Sequence, residues 1–148
     1  MPDSGPRLDD QVCFALYAAS RAVTNLYRPL LDELGLTYPQ YLVMLVLWEH
    51  GSRQVKELGK ALDLDSGTLS PLLKRLEKLG LIRRERRAED ERSVSVTPTE
   101  AGLALQERAT CLPDTIADAM GLSPHALDDL RDTLRQLTDS VQNYRLAR

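Results

Sequence analysis

The spacing of apolar residues changes abruptly at Gly80. Before it, TLSPLLKRLEKL places Leu69, Leu72, Leu73, Leu76 and Leu79 on one side of a helix; after it, LIRRER and SVSVT alternate with a period of two. A helix cannot sustain a two-residue repeat, nor a strand a repeat of three and four, so the chain must pass from helix to β-hairpin here. The pattern predicts strands at Leu81–Arg86 and Ser93–Thr97 around a charged tip, Arg87-Ala-Glu-Asp-Glu-Arg92. Ser66 stands where a helix cap is needed, and Pro71 must lie near the first turn or bend the helix.

The residues upstream supply helical partners. RQVKELGKAL, residues 53–62, reads as a short amphipathic helix, and Asp63-Leu-Asp-Ser-Gly as the turn that joins it to the capped one. Thr37-Tyr-Pro-Gln is a helix start, with Thr37 or Tyr38 at the cap and Pro39 in the first turn, where its missing N–H costs nothing. The YLVMLVLWEH run after it is almost wholly apolar, which predicts a central core helix ending at Gly51. A long first helix is predicted from about Leu8 to Leu34. It carries one stripe through Leu8, Val12, Ala15, Ala19, Val23, Leu26 and Leu30, and another through Cys13, Tyr17, Tyr27, Leu31 and Leu34. A helix apolar on two sides must be covered on two sides, most simply by a second copy of the chain.

Downstream, Pro98 opens another helix, with Thr97 as cap and Glu100 completing a capping box; Pro113 interrupts it. Ser123-Pro124 caps a last helix in which Leu127, Leu130, Leu134, Leu137, Val141 and Tyr144 alternate steps of three and four. That 3.5-residue period marks the seam of a helix–helix pair.

Short helix, turn, capped helix and basic hairpin together make a winged helix-turn-helix: a mainly α fold with a small β-hairpin wing, within the one domain that 148 residues allow. The net charge of −3 argues against a polyanionic partner, but its distribution argues for one. Residues 74–87 carry seven bases and two acids, a local +5 that leaves −8 for the rest. Salt screens charge beyond about 10 Å, so DNA meets the local patch. Ser66, Thr68, Ser70, Lys74 and Arg75 suit base edges and phosphates in a major groove; Arg92, with Arg86 or Arg87 behind it, suits a minor groove. Asp90 reads as an orienting partner for Arg92, because a carboxylate is repelled by the DNA backbone. Any one of these charges, taken alone, could equally be a solvated surface residue.

No stretch approaches the roughly 20 apolar residues of a membrane span, and MPDSGPRLDD lacks the order of a signal peptide, so the expected location is the cytoplasm. The two cysteines, Cys13 and Cys111, are too few and too distant for a secreted disulfide framework. The isolated His50 and His125 argue against a metal site, and no cofactor motif is present. Cys13 can be an inert buried thiol or a working one. Four of the five tyrosines fall between residues 17 and 41, and a phenol can donate to a thiolate. Tyr17 shares the face of Cys13, but Tyr27 lies about 21 Å away at 1.5 Å per residue and could serve only from another chain.

LGKALDLDSGTLSPLLKRLEKLGLIRRERRAEDERSVSVTPTEAG resembles the helix-turn-helix and wing of MarR-family repressors, including the D-x-R of Asp90-Glu-Arg92 and the T-x-x-G of Thr99–Gly102. With CFALYAASR and LTYPQYLVMLVLWEH, the resemblance narrows to the organic hydroperoxide resistance regulators, across roughly residues 8–110. It implies a dimeric architecture, with residues 8–36 and 98–148 as the helical dimerisation region and 37–97 as the DNA-binding lobe. It implies a homodimeric repressor, not an enzyme, that holds a pseudo-palindromic operator and releases it when an organic hydroperoxide oxidises Cys13. Tyr27 and Tyr38 would reach that thiol across the dimer, beside Tyr17, with Phe14, Leu16, Met44 and Trp48 lining the sensor pocket.

In the two-cysteine subgroup a distal cysteine of the partner resolves the oxidised thiol, but from a helical turn or more beyond a break like Leu112-Pro113. Cys111 lies just before it, so its role stays open, with a low-molecular-weight thiol as the other resolving group. The alternative is a MarR-type repressor released by a non-covalent apolar or phenolic ligand, with Cys13 a bystander. A thiol peroxidase fits poorly, because Cys13 has no threonine or arginine set around it and an enzyme has no use for a wing.

Overall fold

The computed structural model describes residues 5–87 and 90–146, with residues 87 and 90–92 described by their backbone alone. The chain forms two compact units, Met1–Thr110 and Cys111–Arg148. The first holds α1 (Val12–Asp32), α2 (Tyr38–His50), β1 (Arg53–Gln54), α3 (Val55–Leu62), α4 (Ser66–Lys78), β2 (Ile82–Arg87), β3 (Asp90–Pro98) and α5 (Glu100–Ala109); the second holds α6 (Leu112–Met120) and α7 (Pro124–Asn143). The architecture is mainly helical with a three-stranded antiparallel sheet, in the order β1-β3-β2. Among the described residues no helix is long and apolar enough to cross a membrane.

The predicted first helix is divided. Leu8–Asp10 closes a single 3-10 turn, Gln11 is extended, and α1 begins only at Val12. α2 forms as its sequence predicts, with a capping box between Thr37 and Gln40 and Gly51 at its end. Being apolar all round, it is the core helix: Tyr41, Val43, Met44 and Leu47 are buried, as are Leu58, Leu69, Leu76, Ile82 and Val96 of the elements around it.

Two caps differ from expectation. Asp65, not Ser66, caps α4, its carboxylate accepting the Thr68 N–H at 2.7 Å; that bond holds the Asp65 carboxyl below the usual range. Thr99, not Thr97, caps α5, because β3 continues through Thr97 and Pro98 to pair with Arg83 and Ile82 of β2. Leu79, expected inside, is exposed: α4 ends at Lys78, and the chain turns outward through Gly80, whose φ is +79°. Pro71 sits in the second turn of α4, where its absent N–H leaves the Gly67 carbonyl without a helical donor.

The Thr99 hydroxyl accepts from the Gly102 N–H at 3.1 Å and donates to the Gly80 carbonyl at 2.6 Å, while the Thr99 N–H donates to the Leu81 carbonyl at 3.0 Å. This clasp draws α5 onto the base of the wing. A Cβ on Gly102 would stand 2.2 Å from the Leu81 oxygen and 3.2 Å from the Met44 Cε, so only glycine fits. Gly102→Ala is expected to destabilise by about 3 kcal/mol despite alanine's better helix propensity. Thermal unfolding followed by circular dichroism should show Tm lowered by about 5–10 °C.

Candidate DNA-binding face and thiol site

α4 buries Leu69, Leu72, Leu73 and Leu76 and exposes Ser66, Thr68, Ser70, Lys74 and Arg75. The amphipathic spacing thus turns every expected contact residue of this helix outward. Arg86 is exposed on β2. Arg87, Asp90 and Arg92 belong to the paired ends of β2 and β3, but their side chains lie outside the described residues. Between α3, α4 and the hairpin lies an open concavity of about 900 Å³, lined in part by Lys56, Lys60, Ser66, Ser70, Arg86 and Ser93. Lys56 and Lys60 were not singled out by sequence reasoning. Their i, i+4 spacing on a short helix beside the predicted recognition helix was the signal available.

One ion pair sets the wing against α4. The Arg84 guanidinium donates from Nε at 3.2 Å and Nη2 at 3.0 Å to Glu77 Oε1, and the Arg84 backbone N–H donates to Oε2 at 3.1 Å. These bonds from Arg84 hold the Glu77 carboxyl below the ordinary carboxylate range. Two charges of the basic segment therefore offset each other, and the exposed cations beside them are the ones open to a partner. β1 also pairs with β3, Arg53 opposite Val96 and Gln54 opposite Ser95, bracing the hairpin from its other edge.

Cys13 and Cys111 are both exposed free thiols in the single chain. Cys13 lies in the first turn of α1 between Val12, which is 68% exposed, and an exposed Phe14, and Tyr17 one turn further on is 60% exposed. The Tyr17 ring faces the Arg21 guanidinium, 5.5 Å from its centroid. Tyr27 lies fourteen residues along the same helix, about 21 Å away. It packs instead on Tyr38 of α2, with centroids 4.7 Å apart, and both rings contact Tyr41 at 5.8 and 6.5 Å. Burial first, then the neighbouring phenols, pushes Tyr27 up to about 12, and burial raises Tyr38 and Tyr41 as well. At neutral pH these phenols are protonated donors.

The structure therefore brings Tyr27 and Tyr38 together but leaves Cys13 and Tyr17 apart from them. Of the residues expected to line the sensor pocket, Leu16 is half-buried and Met44 wholly buried in the core, while the Trp48 indole N–H donates to the Gly102 carbonyl at 2.8 Å. Tyr41, which joins these rings, was missed, although it lies three positions after Tyr38 and so shares its face of α2. Cys111 occupies the N-cap position of α6, with Pro113 in that helix's first turn. Among the described residues no cluster of three or more histidine, cysteine or carboxylate side chains could hold a metal ion.

Residues 25–108 match the family model described as transcriptional regulator SarA/Rot. The chain is 54% identical over 125 residues to the organic hydroperoxide resistance transcriptional regulator of Bacillus subtilis, covering 84% of this chain and 83% of that one. Its fold is similar to that of AbfR of Staphylococcus epidermidis, in the reduced form bound to DNA (TM-score 0.72, 37% identity, 89% of this chain and 96% of that one). It is also similar to the disulfide form of AbfR (TM-score 0.63, 38% identity, 89% and 93%).

Proposed function

This chain belongs to the MarR-type transcriptional regulators, in the branch of the organic hydroperoxide resistance regulators, and from that premise we propose that it is a homodimeric repressor whose operator grip is broken by oxidation of Cys13. It is a regulator, not an enzyme. The observation that carries the DNA-binding part is the outward face of α4 beside a braced basic wing. Ser66, Thr68, Ser70, Lys74 and Arg75 enter a major groove, while Arg92, oriented by Asp90 and supported by Arg86 and Arg87, meets the adjoining minor groove. The strand between those grooves crosses the concavity, where Lys56 and Lys60 meet its phosphates. Lys56→Gln and Lys60→Gln should each weaken binding to operator and to unrelated DNA alike, and each should reduce the salt dependence of log K by about one. A loss confined to the operator would contradict the phosphate role.

A dimer accounts for two apolar surfaces left exposed in the single chain: the N-terminal half of α1, and in the other unit the α7 seam of Leu130, Leu134, Leu137, Val141 and Tyr144. A second copy covers both, and twofold symmetry makes every such contact occur twice. Residues 8–36 and 98–148 are then the dimerisation region and 37–97 the DNA-binding lobe. The second copy also supplies what α1 cannot, a protonated Tyr27 and Tyr38 within reach of Cys13.

In the sensing step, the Cys13 thiolate attacks one oxygen of an organic hydroperoxide. The O–O bond breaks, sulfur is oxidised by two electrons to sulfenic acid, and the peroxide leaves as the alcohol after taking a proton. A thiol then displaces hydroxide from that sulfur, giving a disulfide and water. Cys111 of the partner subunit or a low-molecular-weight thiol can be that thiol. AbfR has been solved reduced on DNA and as a disulfide, which supports a redox device on this fold. The test is operator binding by fluorescence anisotropy before and after an organic hydroperoxide and then dithiothreitol. Release and then recovery is expected; unchanged binding would contradict the reading.

A further inference from the structure

From Tyr27 to the wing runs an unbroken series of close contacts. Tyr27 and Tyr38 pack on Tyr41, which is 2% exposed, and Tyr41 meets Trp48 edge-on at 6.2 Å. The Trp48 indole donates to the Gly102 carbonyl, Gly102 lies against the Leu81 carbonyl with no room for a Cβ, and Leu81 and Gly80 accept from Thr99 where β3 meets α5. Interiors packed this closely shift by discrete repacking, not by continuous give, so a ring displaced at one end must displace its neighbours. A phenylalanine keeps an aromatic ring beside Tyr41 while removing the indole N–H, at the cost of some packing volume. The indole N–H adds a directional hydrogen bond to the packing of Met44 on Gly102 that also joins α2 to α5.

We infer that Trp48 is a positioning residue of the switch, carrying a displacement of Tyr27 and Tyr38 through Tyr41 to Gly102 and so to the base of the wing. This rests on the reading of Cys13 as the sensor whose oxidation disturbs those phenols. The chain has one tryptophan, so its emission reports on the link without any substitution.

The experiment combines Trp48 emission, operator anisotropy and mass spectrometry of Cys13 during titration with cumene hydroperoxide, in wild type, Cys13→Ser and Trp48→Phe. Wild-type emission should shift in step with operator release and stay fixed in Cys13→Ser. Reduced Trp48→Phe should bind operator within about threefold of wild type and oxidise Cys13 equally, yet its loss of affinity on oxidation should shrink from about 100-fold to about 10-fold or less. A purely structural role would lower Tm but leave the ratio of reduced to oxidised affinity unchanged.

Emission that does not move while the operator is released, or a Trp48→Phe protein that releases as fully as wild type at equal oxidation, would overturn the inference. If Trp48→Phe does not fold, wild-type emission decides. Failure of the sensor reading is separate: Cys13→Ser would then release the operator as wild type does. In that case an emission shift that tracks release still supports the link, and its absence overturns it.

Discussion

Leu134→Glu and Leu137→Glu should each convert the dimer to monomer while leaving helicity unchanged. Leu134 and Leu137 are 36% and 37% exposed in the single chain, enough for a glutamate to turn its carboxylate to water in the isolated protomer. In the twofold dimer the same carboxylate is buried without a partner, and it is buried twice. One uncompensated buried charge costs about 3–5 kcal/mol, so the dimer constant should worsen by about 10⁴-fold or more. Operator affinity should fall with it, because a monomer holds one half-site and loses the second as an independent bimolecular event. Sedimentation equilibrium beside circular dichroism measures both. A Leu134→Glu protein that remains dimeric at micromolar concentration would mean that α7 does not face its partner.

Cys13→Ser should bind operator as the reduced wild type does, within about threefold, and should keep it after an organic hydroperoxide that weakens the wild type by about 100-fold. Serine preserves the shape and a weak donor, but its hydroxyl neither ionises near neutral pH nor accepts an oxygen from a peroxide. The phenols add a second signature. Tyr27, pushed up to about 12 by burial, keeps its proton at neutral pH, and a phenol that donates to a thiolate favours the reactive form. Tyr27→Phe should therefore slow oxidation of Cys13 without preventing it. Cys111→Ser should leave that oxidation unchanged and alter only its reversal by dithiothreitol, if Cys111 of the partner subunit closes the disulfide.

The period change at Gly80, the capping box of Thr37 and the apolar run of α2 are local signals, and the elements they predict are present. Caps shifted by one or two residues where several capping residues adjoin: Asp65 beside Ser66, Thr99 near Thr97. The two-residue β1 has no period of its own to read; it exists only because β3 offers an edge. The bond between Glu77 and Arg84 spans the turn at Gly80, and only the angle of that turn decides whether the two meet.

The outward face of α4 was legible because helical spacing places every residue around the axis. The approach of Tyr27 to Tyr38 and Tyr41, and of Trp48 to Gly102, was not, since it depends on how α1 and α5 cross α2, which no single helix encodes. Cys13 shows the same limit from the other side. Its surroundings read as core, yet in the single chain it is exposed, because an apolar sequence says that a face is to be covered and not which chain covers it.

If oxidation of one sulfur, Cys13, sets operator affinity, the two change together when both are measured on the same samples. Wild-type protein is titrated with an organic hydroperoxide, the fraction of unoxidised Cys13 is read by thiol labelling and mass spectrometry, and operator binding is read by anisotropy at each point. The predicted result is binding that falls in step with loss of the Cys13 thiol and returns when dithiothreitol restores it. Release while Cys13 stays reduced, or full binding once Cys13 is wholly oxidised, would contradict it.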